Sequence, residues 1–338
     1  MKILVTGGYG FIGSAFIRTA LRNNYEIINV DVLNYAANKD NIPSASKAKN
    51  YVFCHINISD ESAIDTIFEK YLPDCVVHFA AESHVDRSIS GAEVFIDSNI
   101  VGTFRLLNSS LRYWERTGKK KGFKFLHVST DEVYGSLPLD PNVRFVETTP
   151  YSPNSPYSAS KASSDHLVRA WNATYGIPVL ITNCSNNYGP YQFPEKLIPS
   201  VITKCLSGEP VPIYGDGSNI RDWLYVDDHI SALFTVLLNG KSGQTYNIGG
   251  NNEMSNIQLV KHICDYLDRK VPKPSVSYFS QIAYVTDRLG HDARYAIDSS
   301  KIALELGWSP AVSINQGIEH TVDWYLNNEN WWRPILER

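Results

Sequence analysis

The 338-residue chain is 43% hydrophobic and 20% charged, with a formal charge of −4 and a pI near 6.1. These values suit a globular protein of one large or two unequal domains, and they give no electrostatic hold on nucleic acid or an anionic membrane. No apolar run approaches the roughly 20 residues that span a bilayer, the nine histidines show no metal spacing, and the five cysteines (54, 75, 184, 205 and 264) form no close pair, as expected of core thiols in a reducing compartment.

The chain enters a strand directly at Lys2-Ile3-Leu4-Val5, with no charged-then-apolar signal segment, so a cytoplasmic location is expected. Apolar runs predict strands at 2–6, 26–31, 51–56, 75–80, 123–129 and 179–184. Between them, helices are predicted at about 12–23, 61–71, 92–116 and 156–175. This alternation implies βαβ units and an α/β fold: a Rossmann-type doubly wound parallel sheet with helices on both faces. The basic run Lys119-Lys120-Lys121 with Lys124 reads as a solvated loop. After residue 185 the texture changes, with prolines at 190, 194, 199, 210 and 212, which predicts a smaller, mixed C-terminal substrate-binding domain. Trp223-Leu224-Tyr225-Val226 with its following helix, and Thr245-Tyr246-Asn247-Ile248, are expected to return to the sheet region. The expected division is 1–185 plus about 220–250 for one domain, and 186–219 plus 251–330 for the other.

Polar clusters fall where these strands end, which is where open α/β sheets bind ligands. Gly7, Gly10 and Gly13 follow the first strand and open a helix. That arrangement allows a tight turn, close approach of a pyrophosphate, and phosphate binding at the helix N-terminus. Asp31 ends the next strand eighteen residues after Gly13, close to the roughly 20 expected for a ribose-binding acid. With no Arg or Lys at 32–34, NAD is favoured over NADP.

Tyr157 and Lys161 are four residues apart and share one face of a helix that Ser155 caps and Pro156 begins. The ammonium and the helix N-terminus are expected to lower the phenol pKa, so that Tyr157 takes a proton from a sugar hydroxyl. Asp131 and Glu132 are adjacent at the end of the 123–129 strand. Two nearby carboxyls tend to have separated pKa values, giving one acid and one base at the same pH. Adjacent strand residues point to opposite faces, so both reach one substrate only if the chain leaves the sheet at Thr130.

Longer strings carry a resemblance. His78 to Ser88, Thr130-Asp131-Glu132, Tyr157 with Lys161, Asn183 to Pro199, Gly215-Asp216-Gly217 to Arg221-Asp222-Trp223, and Asp287 to Asp292 resemble the dTDP-glucose 4,6-dehydratase family of extended short-chain dehydrogenases/reductases, essentially end to end. The resemblance implies a homodimer built through a helical bundle, with a retained NAD and dTDP-glucose as substrate. It assigns C4-hydroxyl deprotonation to Tyr157, C5 deprotonation to Glu132 and protonation of the leaving hydroxyl to Asp131, with Lys161 tuning Tyr157 and Thr130 bonding the substrate. It places Gly7, Gly10, Phe11, Ile12, Gly13, Asp31, Asn34, Asn57, Ile58, Ala80, Ala81, Ser83, Ser98, Tyr157, Lys161 and Asn187 at the cofactor. It places His84, Thr130, Asn186, Lys196, Leu197, Pro212, Ile213, Tyr214, Arg221, Asn256, Arg288 and His291 at the nucleotide sugar, and no metal. Asn57 stands where the family has Asp, Asn34 and Ser98 where it has Thr, and Leu289 where it has Pro. A UDP-glucose 4,6-dehydratase would share every catalytic residue. A nucleotide-sugar 4-epimerase needs no elimination pair, and a non-catalytic NAD sensor needs none of these groups.

Overall fold

The computed structural model describes residues 1–287 and 290–337. Strand β1 (Lys2–Thr6) runs through a glycine turn into α1 (Phe11–Arg22), followed by β2 (Glu26–Asp31), β3 (Tyr51–His55), α2 (Glu61–Tyr71) and β4 (Cys75–His78). Short helices α3 (Val85–Ser90) and α4 (Glu93–Phe95) and a π-helical segment at Ile96–Gly102 lead into α5 (Thr103–Arg116). Then come β5 (Lys124–Thr130), α6 (Pro156–Tyr175) and β6 (Val179–Cys184). The rest comprises β7 (Asn186–Tyr188), α7 (Leu197–Ser207), β8 (Val211–Tyr214), β9 (Ile220–Tyr225), α8 (Val226–Asn239), β10 (Thr245–Ile248), β11 (Glu253–Ser255), α9 (Asn256–Lys270), β12 (Ile282–Val285), α10 (Ser300–Leu306), α11 (Ile314–Asn327) and α12 (Glu329–Leu336).

Seven parallel strands form the main sheet in the order β10-β6-β5-β4-β1-β2-β3. The strand order reverses between β1 and β4, the position at which doubly wound sheets open a ligand crevice. Alternation along β1 sends Ile3 and Val5 into one apolar layer, with Phe16 and Leu233, and Leu4 into the other, with Phe68, Leu106 and Phe125. All are buried, and each large side chain contributes about 1.5–3 kcal/mol by leaving water. A further core joins β7, β8, β9, α7, α9, α11 and α12 through Tyr188, Ile198, Trp223, Leu259, Tyr325 and Trp332.

The expected strands and helices are present, with instructive differences. Strand β4 stops at His78 because Phe79 and Ala80 turn toward the glycine loop, where the Ala80 N–H donates to Thr6 Oγ1 at 3.3 Å. The helix expected over 92–116 contains the π segment, which seats Gly102 on Ile58 so closely that a Cβ there would lie 2.7 Å from Ile58. Trp223 to Tyr225 do not return to the main sheet. They lie in β9, which pairs with β7 and β11, because β10 takes the edge beside β6. Helix α8 and β10 do return. Nor is the basic run merely solvated. Lys120 pairs with Asp74 at 2.8 Å, and Lys124 donates to the carbonyls of Leu237, Leu238 and Gly240 at the end of α8. Among the described residues no helix is long and apolar enough to cross a membrane, and no cluster of His, Cys, Asp or Glu could hold a metal.

Two histidines give the fold a pH dependence. Burial, reinforced by Lys161, holds His127 from its ordinary 6.5 down to about 4, and burial holds His229 to about 3. Both are neutral when folded and gain a proton on unfolding below pH 6.5, so the folded state loses stability as pH falls from 6.5 toward 4. Calorimetry is expected to show Tm falling across that window, and falling less steeply in His229→Gln. Equal slopes would contradict the assignment.

Candidate active site

The carboxyl ends of the main strands form one cleft, and every residue expected at the cofactor lines it, as do Thr130, Asp131 and Glu132. Gly7 has φ +70°, and a Cβ there would sit 2.7 Å from the Ala80 backbone; one at Gly13 would sit 2.3 Å from the Gly7 carbonyl oxygen. Helix α1 has Gly10 at its N-cap, with no side-chain cap and no acidic residue in its first turn, which leaves its N–H groups to an anion. Asp31 is oriented at the strand end by the N–H groups of Tyr9 (2.9 Å) and Leu33 (2.7 Å). Asn34 donates to Glu82 Oε1 at 2.7 Å. These features fit a dinucleotide: an uncapped helix N-terminus, glycines where a Cβ has no room, and a fixed carboxylate at the second strand. Gly7→Ala is expected to lower dinucleotide affinity at least tenfold in calorimetric titration, combining about 1–2 kcal/mol of backbone strain with the clash. Gly118→Ala, equally strained at φ +68° but with nothing within 4 Å, is the control. Equal loss in both would contradict a packing role for Gly7.

The chain does leave the sheet at Thr130. Thr130 is extended, its Oγ1 accepts the Glu132 N–H at 3.3 Å, and Asp131–Tyr134 form a 3₁₀ turn. Asp131 is 1% exposed. Burial, then the charges of Glu132 and Asp222, push its carboxyl well above the usual carboxylate range, against the pull of Arg221. Its environment thereby favours the protonated, acid form, and its Oδ2 has no hydrogen-bond partner among the described residues.

Tyr157 lies in the first turn of α6, which opens with a capping box between Ser155 and Ser158 and with Pro156. Its phenol is not lowered as the motif alone predicts. Burial, followed by Glu132, Cys184 and Asp131, pushes it well above its ordinary value. Lys161 is buried as well, donates to the Val128 carbonyl at 3.0 Å, and is itself lowered by burial. Burial first, then two carboxyls facing the phenol and a lysine turned to a carbonyl, account for the reversal.

The expected sugar-nucleotide residues divide into groups. Asn186 and Lys196 line the same cleft, and Lys196 donates to the Ser83 carbonyl at 2.9 Å. His84 caps α3 and lies 3.7 Å from Glu195. Leu197 opens α7. Arg221 stacks on Tyr295 at 4.3 Å and donates to the Asp292 carbonyl, and the Tyr214 and His291 rings are 6.3 Å apart. Asn256 begins α9, and its Oδ1 lacks a partner among the described residues. Pro212 is exposed but Ile213 is 2% exposed and packs in the second core, so Ile213 offers a ligand its backbone only. Arg288 and Leu289 lie outside the described residues.

A sequence profile of the GDP-mannose 4,6 dehydratase family matches residues 4–321. The dTDP-glucose 4,6-dehydratase of Salmonella typhimurium is 57% identical over 341 residues, covering 98% of this chain and 94% of that protein. The chain belongs to the dTDP-glucose 4,6-dehydratase family. The crystal structure of the dTDP-glucose 4,6-dehydratase from Streptomyces venezuelae, with NAD and TYD bound, superposes with a TM-score of 0.91 at 44% identity over 99% of this chain and 100% of that one. The UDP-glucose 4-epimerase of Thermotoga maritima shares the fold at lower identity, with 30%, a TM-score of 0.84, 97% of this chain and 100% of that one.

Among the groups of this chain that sequence reading did not single out, Asn99 stands in the π segment, donates to Ser160 Oγ at 2.8 Å and accepts from the Glu82 N–H. His229 faces Asn187 Oδ1 at 2.8 Å and so fixes a residue of the cofactor cleft. The π segment was the available signal for Asn99, but it exists only in the folded chain. Nothing in the sequence around His229 marks it.

Proposed function

We propose that this protein dehydrates dTDP-glucose to dTDP-4-keto-6-deoxyglucose, with an NAD that stays bound through the cycle. The observation that carries this reading is a buried Asp131, in surroundings that favour its protonated form, beside Glu132 and across one cleft from Tyr157. Alcohol oxidation alone needs a base; elimination also needs an acid for the leaving oxygen.

Bound NAD supplies the two-electron acceptor at C4 and, within the same turnover, the donor at C6. Its holders are the Gly7–Gly13 turn for the diphosphate, Asp31 for a ribose, and Asn187 with Lys161 deeper in the cleft. Tyr157 takes the C4-hydroxyl proton as its phenolate, the form that the Lys161 ammonium behind it and the positive nicotinamide ring of bound NAD would favour. The ketone acidifies C5–H, and Glu132 removes that proton. Asp131 protonates the C6 oxygen as it leaves as water. Glu132 exchanges its proton with solvent and returns one to C5, and the proton gained by Tyr157 leaves to solvent while Asp131 takes one back, which resets all three groups. Thr130 bonds the sugar, and His84, Asn186, Lys196, Leu197, Pro212, Ile213, Tyr214, Arg221, Asn256, Arg288 and His291 hold the nucleotide diphosphate, which suits cation forks and amide donors.

We further place residues 1–185 and about 220–250 in the NAD-binding domain, and 186–219 and 251–330 in the sugar-nucleotide domain. A homodimer through α5 and α6 is supported by the exposed apolar residues Ile89, Val94, Ile96 and Val101 on the neighbouring segments, and light scattering tests it. Five free cysteines suit a reducing cytoplasm. Mass spectrometry after incubation with dTDP-glucose and, separately, UDP-glucose tests the reaction. Loss of one water from the former is expected, and loss from the latter alone would keep the chemistry and change the nucleobase.

A further inference from the structure

Behind the acid/base turn lies a buried polar cluster that the dehydratase reading leaves without a role. Asp165 follows Lys161 by one turn of α6, and its side chain, like that of His127 on β5, is fully buried. Its Oδ2 accepts the Tyr151 hydroxyl at 2.8 Å and the Asn183 amide at 3.1 Å. Its Oδ1 lies 3.1 Å from His127 Nε2, within ion-pair range but off the hydrogen-bonding line. The same Asn183 amide reaches the Thr130 carbonyl at 3.1 Å. One carboxylate is thereby linked to the helix that carries Tyr157 and Lys161 and to the strand end that carries Asp131 and Glu132.

A charge this deep needs a counter-charge. His127 does not supply it, because burial and Lys161 keep it neutral at neutral pH. The remaining groups around Lys161 and Asp165 are His78 on β4, Ser129 on β5, Cys184 on β6, Tyr151 from the preceding loop, and Tyr157 and Arg169 on α6. Arg169 reaches Asp165 through the Tyr151 hydroxyl, to which it donates at 2.6 Å. Lys161 is a buried cation of the cleft, and burial works against its charge while Asp165 supports it.

We propose that Asp165 is a positioning residue of the reaction: it keeps the buried Lys161 charged behind Tyr157 and, through Asn183, holds the Thr130 turn in register. The role rests on the dehydratase reading, but its first test does not. Carbon NMR of Lys Cε, with the Lys161 signal assigned from its loss in Lys161→Met, reports the ammonium directly and needs neither substrate nor turnover. In Asp165→Asn, Lys161 is expected to titrate about one pH unit lower, since the carboxylate one helical turn away is the foremost group supporting its charge against burial. The alkaline limb of kcat against pH is expected to move down with it, while KM for dTDP-glucose stays within about twofold, because Asp165 does not touch the sugar. An unmoved Lys161 titration overturns the proposal, and so does lost turnover with the alkaline limb in place. If Asp165→Asn does not fold, the wild type decides. A charged Lys161 at pH 8 supports the proposal, and a neutral one there overturns it.

Discussion

Glu132→Gln is expected to bind dTDP-glucose normally and to form product about 10²–10⁴-fold more slowly, the range lost with a positioned base. The substitution keeps the volume of the side chain and one of its two oxygens, and the Thr130 contact that shapes the Asp131–Tyr134 turn, made by the Glu132 backbone N–H, should survive. What disappears is the oxygen that takes the C5 proton. Oxidation at C4 precedes that step, so a rapid rise of reduced-nicotinamide absorbance with no product methyl group is the expected signature. Full turnover in this variant would remove Glu132 from the mechanism.

Tyr157→Phe acts one step earlier and is expected to cost a similar factor, with no rise in that absorbance at all. The phenol is 8% exposed, and burial beside Glu132 and Asp131 holds its proton tightly. Phenylalanine fills the same space, packed against Phe95 as the ring of Tyr157 is, at 6.3 Å between centroids, so stability should change little. Lys161 cannot substitute for the phenol, because it is turned to the Val128 carbonyl. A variant that still reduces its cofactor at the wild-type rate would mean that another group takes the C4 proton.

Local patterns were legible in the sequence where one segment carries both the residue types and the geometry. The Gly7–Gly13 turn, the Ser155-Pro156 start of α6 and the Tyr157–Lys161 spacing all belong to this kind. The Asp131–Glu132 pair was half legible: the residues were plain, but their sharing of one cleft depends on β5 ending at Thr130 and a 3₁₀ turn beginning there. The pKa of Tyr157 went the other way from its motif because burial in the folded chain, and after it the opposing carboxyls from that different segment, outweigh the local helix and lysine. The Asp165 cluster was not legible. Its members at 127, 151, 165 and 183 come from four segments and look like ordinary core or surface residues along the chain. The partner of β9 was missed for the same reason, since an apolar run does not say which sheet edge receives it.

The most direct test of the central claim is NMR of the purified protein with dTDP-glucose in deuterated water and no added cofactor. The account predicts a product with a C6 methyl group and deuterium at C5, formed at a rate that added NAD does not change. Simple interconversion at C4, with the C6 hydroxymethyl intact and no deuterium at C5, would contradict it and make the chain an epimerase on the same fold.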